Sequence, residues 1–249
     1  MMNMSRLFSV IFVSLLCVLS FSPAKADMWE IPTGLNPGDT FRWVFVTSSG
    51  RSATSEDIDL YNAFVNGVAA NENTTITGVV GFSSIGQIDW KAIASAGTTN
   101  ARDNIGYSDA GIYTPMGDLV AAGTSDLWDG GPLSHPIDVT EKGDVVGEHY
   151  YVWTGTMPDG AGASMTTLGY QWWVPTSVNT HGTAGVSNSQ WIYTDNTFNS
   201  WAELEFYAIS EELTVVPLPS TLILAATGLL SSTLGLKRLR REHQEQRQI

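Results

Sequence analysis

Between residues 40 and 47 the chain alternates, with Phe41, Trp43 and Phe45 on one parity and Arg42, Val44 and Val46 on the other, in a composition rich in aromatic and β-branched side chains. That period of two predicts a strand. The period then lengthens. Ile58, Tyr61, Phe64, Val65 and Val68 recur at helical spacing, Thr54 stands as an N-cap with Asp57 three positions on, and Glu56, Asp57 and Asp59 suit the positive end of a helix. Gly67 weakens this helix, and Asn71, Glu72 and Asn73 end it. Short apolar runs at 76–80, 90–93, 149–153, 190–193 and 201–209, bounded by Gly, Asn, Asp, Ser and Thr, predict further strands. In the last of them Ala202, Leu204, Phe206 and Ala208 oppose Glu203, Glu205 and Tyr207, which predicts a half-buried strand. One early helix followed by short strands and long loops predicts an α+β domain rather than a Greek-key sandwich.

Two apolar runs lie outside this pattern, one at each end. Residues 1–6 carry one positive charge, 7–21 are apolar apart from serines, and Pro23 precedes Ala24-Lys25-Ala26. This is the layout of a secretory signal peptide, cut after Ala26; the run is short for a membrane span. Cys17 does not make it a lipoprotein signal, because Leu16 stands where a small residue is needed. Cys17 is the only cysteine, so the mature chain forms no internal disulfide and no thiolate zinc site. At the other end Glu211 and Glu212 close the domain, 221–236 is apolar or small throughout, and Lys237, Arg238, Arg240 and Arg241 stop it. These 16 residues are at the short edge of a transmembrane helix and reach a usable length counted from Val215. The basic cluster would then stay on the cytoplasmic side, with the domain outside. The expected organisation is a signal peptide at 1–26, one domain at 27–212, and a sorting segment at 213–249.

The sorting segment resembles a known family. Val216-Pro217-Leu218-Pro219, the apolar helix and the arginine-rich terminus follow one another as in the PEP-CTERM signal of Gram-negative bacteria. The resemblance implies recognition by an exosortase, after signal peptidase has acted, and delivery to the cell envelope, surface or exterior, where exopolysaccharide is made. Leu218 stands where that family usually has glutamate between its prolines.

Charge narrows the partners. Residues 27–236 hold 23 acidic groups against five basic ones, Arg42, Arg51, Lys91, Arg102 and Lys142, a net charge of −18. Such a surface repels phosphate backbones, so no nucleic acid is expected as a partner.

The order of segments within the domain resembles bacterial endostatin-like exported domains. The segments are Trp90-Lys91-Ala92-Ile93, Asn100-Ala101-Arg102-Asp103-Asn104-Ile105, Ile112-Tyr113 leading to Gly117 and Val120, Leu127-Trp128-Asp129-Gly130, Val152-Trp153-Thr154-Gly155-Thr156, Asp159-Gly160 and Phe206-Tyr207-Ala208-Ile209-Ser210. The resemblance implies a C-type-lectin-like fold. Relatives often bridge two cysteines where this chain has Gly169 and Ala208, which is consistent with a bridge replaced by packing.

Catalytic motifs are not evident. His135, His149, His181 and His243 lack the four-residue spacing of a helical metal pair and read as surface or loop residues, and no serine sits in a Gly-x-Ser-x-Gly elbow. Lectin-like domains often hold sugar through calcium, but the Glu-Pro-Asn, Gln-Pro-Asp and Trp-Asn-Asp triplets are missing. Asp126, Asp129, Asp195 and Asn196 read as turn residues. Adjacent Trp172 and Trp173 point to opposite faces of a strand, which makes them the candidates for stacking on a sugar, against a core role. The expectation is a non-catalytic exported surface or biofilm-matrix protein, without cofactor or metal, that binds exopolysaccharide or an envelope partner. An extracellular glycan hydrolase with paired carboxylates and a purely structural matrix protein are the alternatives.

Overall fold

The computed structural model describes residues 29–170 and 178–216. Strand β1 (Thr40–Val46) is buried at every position after Thr40, because both faces of its sheet are covered. Phe41, Trp43 and Phe45 enter one core; Val44 and Val46 enter the other. The alternation at 40–47 therefore separates two cores, not core from solvent.

The elements in chain order are β1, β2 (Arg51–Ser52), α1 (Ile58–Glu72), β3 (Trp90–Ala92), α2 (Ala101–Ile105), β4 (Gly111–Tyr113), β5 (Leu119–Ala121), α3 (Thr124–Leu127), β6 (Tyr151–Trp153), β7 (Val178–Thr183), β8 (Thr197–Asn199), β9 (Glu203–Leu204), β10 (Tyr207–Ser210) and β11 (Leu213–Thr214). This is a mixed α+β architecture, with two short helices beyond the early one. The main sheet runs β3-β10-β1-β4-β5, with β11 also on β1; β2 pairs β9, and β6-β7-β8 form a third sheet. The β1–β4 pair is parallel and the other pairs of the main sheet are antiparallel.

An aromatic cluster fills the first core. Trp29 meets Trp43, Phe45 and Trp90 edge-on at 5.2, 5.8 and 5.6 Å, and Phe45 meets Trp90 at 4.8 Å. Each such tryptophan removes enough apolar surface from water for roughly 3–5 kcal/mol. Helix α1 closes this core with Tyr61, Val65, Val68 and Ala69, which are buried. Its cap is Asp57, whose carboxylate accepts from Asp59 N at 3.1 Å, and not the expected Thr54. Tyr61 fixes the chain ahead of the cap, accepting from Ser55 N at 2.9 Å and donating to Ser55 O at 2.8 Å. Asn73, left-handed at φ 46°, ends the helix.

Several predicted strands come out differently. Residues 76–80 make a single isolated bridge, Val79 with Val215, because Gly78 at φ +85° breaks the extended run. Residues 189–191 form a 3₁₀ turn, started by Asn188 Oδ1 accepting from Gln190 N at 3.0 Å. The run at 201–209 splits into β9 and β10, and Tyr207 is fully buried in the second core where a solvent face was expected. The domain also runs past 212. β11 pairs with β1, Val215 is buried, and Val216 N donates to Gly78 O at 2.7 Å. Among the described residues no helix is long and apolar enough to cross a membrane. The apolar segment 221–236 and the signal peptide expected at 1–26 lie outside the described residues.

Candidate functional site

The third sheet carries the candidate site. Its register pairs Tyr151 with Thr183, Trp153 with His181, and Asn179 with Phe198. Directly opposed residues share a face, so these six side chains project the same way. At the inner end Trp153 is fully buried in the first core, donating from Nε1 to Ala202 O at 3.2 Å. Toward the outer end Tyr151 and Phe198 become accessible, while His181 stays buried between the strands. Tyr151, 37% exposed, meets His181 at 5.2 Å and 88° and Phe198 at 5.2 Å and 52°; His181 and Phe198 are 4.6 Å apart at 60°. Three mutually tilted rings thus form a corner.

The opposite face fixes the sheet in place. A Cβ on Gly182 would fall 2.0 Å from Trp191 O, so only glycine lets the 189–191 turn lie against β7. Thr154 Oγ1 donates to Ile192 O at 2.7 Å on that side, while on the ring-bearing face Asn179 Nδ2 donates to Ala53 O at 2.7 Å.

His181 is 2% exposed, and burial pushes its pKa down to about 4, so it is neutral at ordinary pH. Thr194 holds it from outside, with Oγ1 3.1 Å from Nε2 and the Thr194 amide donating to His181 O at 3.0 Å. The expectation of a surface or loop histidine fails here, because the pairing with β6 turns the ring inward.

The rings open into a cleft of about 590 Å³ whose rim carries Glu148, His149, Gln190, Asp195 and Asn196. Apolar faces below and hydroxyl, amide and carboxylate groups above match the two-sided chemistry of a sugar ring. A second cleft, of about 460 Å³, lies between α2 and α3 and is lined by Arg102, Tyr107, Ser125 and Trp128. Trp128 stacks on Trp191 at 5.8 Å and 28°.

The expected acidic turns divide. Asp129 makes a turn, its Oδ1 accepting from Gly131 N at 2.6 Å, whereas Asp195 and Asn196 stand on the cleft rim. Among the described residues no group of three or more His, Cys, Asp or Glu side chains is placed to hold a metal ion. His135 is held near Asp118 at 3.8 Å and Asp138 at 3.9 Å. Glu205 is a carboxyl whose pKa burial raises, against a hydrogen bond from Tyr150 that lowers it, and neither cleft is lined by it.

Trp172 and Trp173 lie outside the described residues, as do Pro217, Leu218, Pro219, Lys237, Arg238, Arg240 and Arg241. Gly169, with a left-handed φ of +77°, packs so tightly on Ser55 that a Cβ would sit 2.1 Å from its carbonyl carbon, so what it packs against is the chain ahead of α1. Tyr151, His181 and Phe198 were missed as a group by sequence reasoning. The i, i+2 aromatic pair Tyr151 and Trp153 was the available signal; Phe198 joins it only through the register of two further strands. Trp201, 71% exposed in the turn between β8 and β9, carried no distinguishing pattern.

Comparison with protein-family models and with curated proteins returned no match.

Proposed function

We propose that this chain is a non-catalytic exported protein of the bacterial cell surface or biofilm matrix that binds extracellular polysaccharide through the Tyr151–His181–Phe198 cleft. The observation that carries this is the aromatic corner opening onto a rim of carboxylates and amides. The route of delivery is read from the sequence: signal peptidase removes 1–26, and an exosortase-type enzyme acts at Val216, Pro217, Leu218 and Pro219 while 221–236 holds the chain in the membrane and the basic tail stops it. A cut near Pro219 keeps β11 and Val215, both part of the folded domain, in the product. We also take the domain to be a variant of the C-type-lectin-like fold. In support, the segments that carry the resemblance form β3, α2, β4, β6 and β10, elements that build or flank the main sheet and the cleft.

Two measurements test this. Mass spectrometry of protein recovered from envelope and medium should find an N-terminus at Asp27 and a C-terminus near Pro219. An intact chain to Ile249 in the membrane would instead make it an anchored ectodomain. Binding of the organism's own exopolysaccharide should fall at least about tenfold in Tyr151→Ala. No binding in either form would leave a purely structural matrix role.

A specific observation favours a second reading, an extracellular glycan hydrolase: Glu148 and Asp195 line the same cleft. Both are exposed, whereas a general acid is sheltered. Release of reducing ends from the bound polysaccharide, abolished in Glu148→Gln or Asp195→Asn, would establish the enzyme and displace the binding role.

A further inference from the structure

Resting on the glycan-binding reading of this cleft, we propose that it selects sugar units that carry a free ammonium group, as in a polysaccharide of unacetylated amino sugars. Three observations converge. The rings of Tyr151, His181 and Phe198 pack against one another at 4.6–5.2 Å with planes tilted by 52–88°, so Tyr151, 37% exposed, and half-buried Phe198 present an aromatic wall to the cleft with buried His181 behind them. Aromatic faces arranged in this way attract a cation through their quadrupoles, the more so when water is displaced.

The charges around that corner have one sign. Glu148 and Asp195 stand on its rim, and among the described residues neither lysine nor arginine lines it. Of the two histidines, His149 is exposed, and His181 is kept neutral by burial. An ammonium group seated on the rings has two carboxylates as counter-ions, while Gln190, Thr194 and Asn196 offer partners to its hydroxyls.

The whole domain adds to this selection. A net charge of −18 over residues 27–236 draws a polycationic glycan toward the cleft and repels a uronate or sulfated one. Attraction at that range falls with salt; contact with the rings does not, so the two contributions can be separated.

The test uses the full chain in detergent with three probes: a glucosamine oligomer, its fully N-acetylated counterpart and a galacturonate oligomer of equal length. The glucosamine oligomer should bind about tenfold more tightly than the N-acetylated one, and the galacturonate oligomer least. Raising salt from about 20 mM to about 300 mM should narrow the gap roughly threefold. Glu148→Gln and Asp195→Asn should each narrow it, and the double variant should close it. Tyr151→Ala should abolish binding of both glucosamine-based probes. Equal affinity for the charged and acetylated oligomers, both lost in Tyr151→Ala, overturns the ammonium selection and leaves the glycan cleft standing. Glucosamine binding that survives Tyr151→Ala is general attraction to an acidic protein and overturns it too. If no probe and no native polysaccharide binds, the glycan reading itself falls.

Discussion

Asn66 of helix α1 acts as the missing neighbour of Trp90 in edge strand β3: its Oδ1 accepts from Trp90 N at 2.9 Å and its Nδ2 donates to Trp90 O at 2.6 Å. One turn earlier in the helix, Asn62 Oδ1 accepts from Ala92 N at 2.9 Å, and Asn104 Nδ2 donates to Ala92 O at 2.8 Å. Side-chain amides thus cover the open edge of the main sheet, a place where unpaired backbone groups invite another chain. Asn66→Ala leaves both polar groups of Trp90 without their partner and should destabilise the fold by about 2–3 kcal/mol, measured by urea unfolding. A loss below about 0.5 kcal/mol would mean that the edge is satisfied in some other way.

The helix start offers a sharper comparison. Asp57→Ala removes the carboxylate that accepts from Asp59 N and should cost about 1 kcal/mol, whereas Thr54→Ala should cost almost nothing. Equal losses would argue against the cap assigned to Asp57.

Two glycines should respond in opposite directions. Gly182→Ala drives a methyl into Trp191 O and should cost about 3 kcal/mol or more, loosening the 189–191 turn behind the cleft. Gly67 lies within α1, with nothing within 4 Å of the position a Cβ would take, so Gly67→Ala should stabilise by about 0.5–1 kcal/mol. Thermal unfolding of the two variants side by side decides both.

His181 gives the fold a pH dependence of known sign. Its pKa lies near 4 in the folded protein against an ordinary 6.5, so between these values the unfolded chain binds the proton and the folded one does not. Stability from this group is therefore complete above about pH 6.5 and is lost as pH falls toward 4, by at most about 3 kcal/mol. Burial raises the carboxyls of Asp138 and Glu205, and they work the other way, contributing stability that is lost as pH rises through their folded values. Comparison with His181→Gln isolates the histidine. Wild type should gain on the variant by up to about 3 kcal/mol from pH 4 to pH 6.5, and a difference independent of pH would refute the buried neutral state.

The sequence by itself determined the elements whose signal is local. Alternating aromatics wrote β1, helical spacing and a cluster of carboxylates wrote α1, and the aromatic run before Ser210 wrote β10. Each depends on neighbours within a few positions, which a period of 2 or 3.6 expresses directly. The expectation of sorting signals at the two ends is of the same kind, since it is read along the chain.

Tertiary structure alone decided burial and the site. Tyr207 looked like the wet side of a strand until α2, α3 and the 189–191 turn covered that face. His181 looked like a loop residue until β7 paired with β6 and set its ring against Tyr151. Phe198 reaches the same corner across β7, from a segment separated from Tyr151 by 46 intervening residues. A periodic pattern reports which face of an element is apolar; what comes to lie against that face is fixed by strand register and by contacts between distant segments, and these have no signature at any single position.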